Sequence, residues 1–95
     1  MNNRRRKKLS TIAKKLAKSQ KEISELSGKL NKCVEEERKY LENVPVSFRE
    51  TERYLEADDD FDDLNQMGRD LEDHAFDLES ISEHLEVIAK TKEKQ

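Results

Sequence analysis

Proline occurs once, at Pro45, and glycine twice, at Gly28 and Gly68. A chain of 95 residues so poor in both lacks the turns that a β-rich or loop-rich fold needs. Tryptophan is absent, and cysteine occurs once, at Cys33. A lone thiol forms no disulfide within its own chain, which fits a reducing cytoplasm. Cys33 falls on an apolar stripe, so it reads as a packed thiol rather than a nucleophile. No apolar run is long enough for a signal peptide or a membrane span. The expectation is a soluble cytoplasmic protein with no membrane partner. Catalytic patterns are missing too. The chain has no glycine-rich phosphate loop, no nucleophile–base–acid set and no metal constellation. A rod-like hairpin offers no obvious concave pocket. The sequence points away from an enzyme and implies no cofactor and no small-molecule ligand.

What is present is charge. Charged residues make up 43% of the chain and hydrophobic ones 33%. A compact globule needs more apolar surface, whereas paired helices each bury only a stripe. High charge also favours disorder. Against that, the net charge is only −3 and the apolar residues are periodic. One all-α domain spanning 1–95 is expected.

Helical patterning runs away from Pro45 on both sides. Proline has no N–H to donate, and it pushes Val44 out of the helical region. The first helix, from about 3, is therefore expected to stop near 43. A turn over 44–50 follows, with a short helical turn at about 46–49. Ser47 and Glu50 fit a capping box, and Thr51, followed by Glu52, is a second N-cap candidate. The second helix is expected over about 51–91. Val44, Val46, Phe48 and Tyr54 are expected to plug the end of the hairpin.

The stretch Asn43-Val44-Pro45-Val46-Ser47-Phe48-Arg49-Glu50-Thr51-Glu52-Arg53-Tyr54 carries a resemblance. With Asn3-Arg4-Arg5-Arg6-Lys7-Lys8-Leu9, it resembles small helical-hairpin proteins encoded by phages and prophages of Gram-positive gut bacteria. Those run from a basic N-terminus to a proline stop, a short apolar turn, a Glu-Arg restart and an acidic, leucine-spaced helix. The resemblance implies a source and a fold, not a mechanism. The run Asp58, Asp59, Asp60, Asp62 and Asp63 is more acidic than that pattern.

In the first helix, Leu9, Ile12, Leu16, Ser19, Ile23, Leu26, Leu30, Cys33, Glu37, Tyr40 and Val44 alternate steps of three and four. That is a heptad stripe, and Ala13, Val34 and Leu41 widen it as a bundle helix requires. The first 21 residues carry nine cations before any acid: Arg4, Arg5, Arg6, Lys7, Lys8, Lys14, Lys15, Lys18 and Lys21. Such an arm can neutralise phosphates of DNA or RNA. The reading preferred here is a solvated end that complements an acidic partner helix, because no aromatic residue interleaves the charges.

In the second helix, Leu64, Leu71, Leu78 and Leu85 recur every seven residues. Phe61, Gly68, Ala75, Ser82 and Ala89 form a small-residue groove on one flank, and Met67, His74, Ile81 and Ile88 lie on the other. The groove invites close approach by another helix. Phe76 and Val87 point off the stripe, and Phe76 is the best single candidate for contact with another chain. The aspartates at 58–63 lack the glycine turn and late glutamate of a Ca²⁺ loop, so they read as a solvated face near a helix N-terminus. His84 is expected to be exposed, and His74 packed at the stripe's edge or capping.

Folding the rod at 45–48 pairs residues whose numbers sum to about 95, setting the basic end beside Asp77, Glu79, Glu83 and Glu86. Charge then selects an antiparallel register. The second helix has more apolar surface than one neighbour covers, so the expected assembly is a homodimer forming a four-helix bundle. The runners-up are a monomer or a hairpin completed by a host protein. The expected partner surface comprises Phe61, Leu64, Met67, Gly68, Leu71, Ala75, Phe76, Leu78, Ile81, Leu85 and Ile88. A protein-interaction module is the function expected. Nucleic-acid binding through the arm, and an acidic helix mimicking nucleic acid to block a host enzyme, are the alternatives.

Overall fold

A computed structural model describes residues 1–91. Two helices, α1 (Asn3–Glu42) and α2 (Glu52–Lys90), flank a 3-10 turn at Val46–Phe48. They fold into an antiparallel hairpin measuring 75 × 15 × 15 Å. No helix among the described residues is long and apolar enough to cross a membrane.

The ends follow from local chemistry. The Asn2 side chain accepts from the Arg5 N–H at 2.9 Å, closing the first turn of α1. At the other end the Asn43 N–H donates back to the Lys39 and Tyr40 carbonyls before Pro45 stops the helix. Thr51 caps α2 by accepting from the Tyr54 N–H at 3.3 Å, and its hydroxyl donates to the Phe48 carbonyl. The Ser47–Glu50 box is not the cap. Ser47 lies inside the 3-10 turn, four residues ahead of the Thr51 cap and too early to face the free N–H groups of α2.

The expected apolar plug forms only in part. Val44 and Tyr54 are half-buried, whereas Val46 and Phe48 are exposed. Arg49 closes the end instead: its guanidinium donates to the Val44 and Glu42 carbonyls at 3.1 and 3.2 Å. Cations near a helix C-terminus are favourable for this task.

The helices meet along small side chains. Ala13, Ser27, Val34 and Leu41 of α1 are buried against Gly68, Ala75 and Ser82 of α2. Both sets are spaced by seven or a multiple of it, so each forms one straight seam. The Ser82 hydroxyl donates to the Ala13 carbonyl at 2.8 Å, a contact only a close approach of backbones allows. A Cβ on Gly68 would run into the Asn31 amide. Pairs therefore sum to 95 at Ala13–Ser82 and 99 at Asn31–Gly68, near the expected register.

The ion pairs shown among the described residues do not join the helices. Arg38 pairs with Glu35 and Glu42, and Lys90 with Glu86, each within one helix. Besides the Ser82–Ala13 bond, the side-chain cross-links among the described residues are hydrogen bonds from neutral donors: Ser10 to Glu86 at 3.0 Å, and Asn31 to Glu72. The hydrogen bond from Arg38 lowers the Glu35 pKa, and the same bond, with the charge of Glu42, raises that of Arg38. All three groups are exposed, so this network adds little stability.

Candidate functional site

The candidate site is one broad face of the hairpin. Each helix has a half-buried apolar ridge: Leu9, Leu16, Ile23 and Leu30 in α1, and Leu64, Leu71, Leu78 and Leu85 in α2. At 100° per residue, the residue four places on lies about 40° to one side of a ridge and the residue three places on about 60° to the other. In both helices the four-on line turns inward. It is Ala13, Gln20, Ser27, Val34 and Leu41 in α1, and Gly68, Ala75, Ser82 and Ala89 in α2. In both helices the three-on line stays outside: Ile12, Leu26, Cys33 and Tyr40, and Met67, His74, Ile81 and Ile88.

Chain direction decides where these lines go. The helices are antiparallel, so their senses of rotation are opposite when viewed down the rod. Both ridges and both three-on lines therefore fall on the same side of the hairpin. Leu26 is 56%, Met67 54% and Ile81 50% exposed. Among the described residues no side chain is both large and completely buried. The apolar side chains of the ridges and three-on lines are gathered on one surface rather than enclosed.

The opposite face is polar. It carries the Ser10–Glu86 and Asn31–Glu72 hydrogen bonds, with Glu79 and Glu83 on the same side of α2. Phe76 stands there, 71% exposed beside Ser24, Glu72 and Glu79.

The structure thus divides the residues singled out in the sequence. Leu64, Leu71, Leu78 and Leu85 with Met67, Ile81 and Ile88 share the apolar face. Gly68 and Ala75 are taken up by contact within the hairpin, with Phe61 half-buried beside Leu41 and Tyr54. Phe76 points the other way. His74 is exposed on the apolar face, not packed, because its line lies outside the seam. Cys33 is exposed for the same reason.

At the turn end, the apolar face runs into an open cavity of about 730 Å³ lined by Tyr40, Val44, Pro45, Phe48, Tyr54 and Ala57. The sequence pattern did not announce this hollow at the turn. The basic arm is helical from Asn3, with Arg4, Arg5, Lys7, Lys8, Lys14 and Lys15 exposed and Arg6 half-buried. Among the described residues no group of three or more His, Cys, Asp or Glu side chains is placed to hold a metal ion. The residue that sequence reasoning missed is Arg49. Its only signal was a cation close behind a helix C-terminus.

Comparison with protein-family models, with curated proteins and with solved structures finds no match to this chain.

Proposed function

We propose that the chain is a non-enzymatic protein-interaction module acting through its apolar face, and that a second copy covers that face to form a four-helix bundle. The exposed ridge-and-flank surface carries this reading. The chain exposes 7866 Å², against about 5,700 Å² for a compact monomer of its 11.2 kDa mass. Helices about 60 Å long, side by side at about 10 Å each, give a face of about 1,200 Å². A stable interface needs about 800 Å² per partner. A host protein is the alternative occupant, in keeping with the turn's likeness to phage-encoded hairpins. Sedimentation at tens of micromolar is expected to give the dimer mass. A monomer at that concentration would end the self-association reading.

One observation favours a second reading, nucleic-acid binding. Arg4, Arg5 and Arg6 occupy the first turns of α1 with no acid among them. Cations there oppose the helix dipole by about 0.3–1 kcal/mol each. A basic start that works against its own helix suits an external anion. A gel shift at low salt, lost at moderate salt, is the expected result, and no shift at low salt removes this reading.

A further inference from the structure

We propose that the two hairpins pair with the turn end of one over the open end of the other, about a twofold axis level with Ile23 and His74. This orientation rests on the self-association reading above. Two independent observations point to it.

The first is charge. The hairpin brings residues 1–24 and 72–91 together at its open end, with ten basic and seven acidic side chains. The turn end, 25–71, has seven basic and fourteen acidic ones. The rod is therefore positive at one end and negative at the other. Pairing turn end with turn end would stack the two negative ends on each other. Reversing one copy sets each acidic end on a basic one. Within the face itself, Arg5 and Lys8 of one copy then come within a turn of the level of Glu37 of the other.

The second is the spacing of the apolar lines. The register through Ala13–Ser82 and Asn31–Gly68 puts His74 level with Ile23. Leu16, Ile23 and Leu30 are centred on Ile23, and the pair Ile12 and Cys33 has its midpoint at the same level. Met67, His74 and Ile81 are centred on His74, and the ridge from Leu64 to Leu85 has its midpoint there too. A twofold axis across the rods at this level lays α1 on the α1 of the other copy and α2 on its α2. It matches Ile12 with Cys33, Leu16 with Leu30, and Met67 with Ile81, and the faces overlap along their full length. A self-complementary patch of this kind is what a twofold interface requires.

The native thiol reports the orientation. Within one chain, positions 12 and 33 lie about 32 Å apart on a straight helix, so a disulfide between them joins two molecules. Mild oxidation of Ile12→Cys, with Cys33 retained, is expected to give a covalent dimer at more than ten times the parent's yield. Peptide mapping is expected to join position 12 to Cys33. The parent is expected to stay uncrosslinked, because its two Cys33 thiols lie about 30 Å apart along the rods. Sedimentation and far-UV circular dichroism of the same variant separate the outcomes. A helical dimer without the 12–33 link, or a parent that crosslinks through Cys33, overturns the orientation alone. A helical monomer overturns both the orientation and the self-association beneath it.

Discussion

The two broad faces of this hairpin are built from the same helices yet hold different things. On the polar face, Ser10, Asn31, Glu72 and Glu86 satisfy one another across the helix pair. On the apolar face, Leu26, Met67 and Ile81 each leave half or more of their surface exposed. Between the faces runs a seam of alanine, serine and glycine, joined by Val34 and Leu41 toward the turn. The difference teaches that the two helices of one chain meet mainly through small residues, beside the leucine ridges rather than along them. A small side chain lets backbones approach, and dispersion contacts at short range then accumulate along the seam. The leucines are left half-buried, available to a further layer.

A charge placed on each face is the harshest way to break this contrast. Leu71→Lys puts an ammonium where the proposed bundle is dry. It is expected to weaken self-association by about 3 kcal/mol or more, over a hundredfold in Kd, by sedimentation across a dilution series. Phe76→Lys on the polar face is expected to change Kd less than threefold. Equal effects from the two would erase the distinction between faces.

The seam is tested next. Ala75→Leu inserts a bulky side chain where α1 and α2 touch. It is expected to destabilise the fold by about 2–3 kcal/mol in urea denaturation followed by circular dichroism. The two glycines sharpen the same point. Gly28 has open space around its missing Cβ, so Gly28→Ala is expected to gain about 1 kcal/mol from helix propensity. Gly68→Ala is expected to gain nothing or lose, because its Cβ displaces the Asn31 amide bonded to Glu72.

The smallest test compares two serines on that seam. The Ser82 hydroxyl is bonded to the Ala13 carbonyl, and Ser82→Ala is expected to cost about 1 kcal/mol. The Ser27 hydroxyl is buried with no hydrogen-bond partner, so Ser27→Ala is expected to stabilise by about 1 kcal/mol. Like signs in the two thermal melts would mean that the seam treats the two sites alike.

Much of this was legible in the residue order, and the exceptions have physical causes. Pro45 and Thr51 marked the break and the restart to within a residue, because each acts through its own backbone and its immediate neighbours. The Ser47–Glu50 box misled because the pattern says nothing of where the 3-10 turn ends. In α1, hydrophobicity favoured the line of Ile12, Leu26 and Tyr40 over that of Ala13, Gln20 and Ser27. The less apolar line is the buried one. The groove of Gly68, Ala75 and Ser82 did announce a close neighbour, but not that α1 of the same chain fills it.

Residue order alone determined two long helices, their ends, and a reversal at Pro45. Capping, proline geometry and heptad spacing are local, so no distant partner is needed to read them. Which flank of each ridge turned inward was decided only in the folded hairpin. Both flanks lie beside the leucines at similar angles, and the choice depends on how closely two backbones can approach. That is a property of the pair of helices rather than of either one.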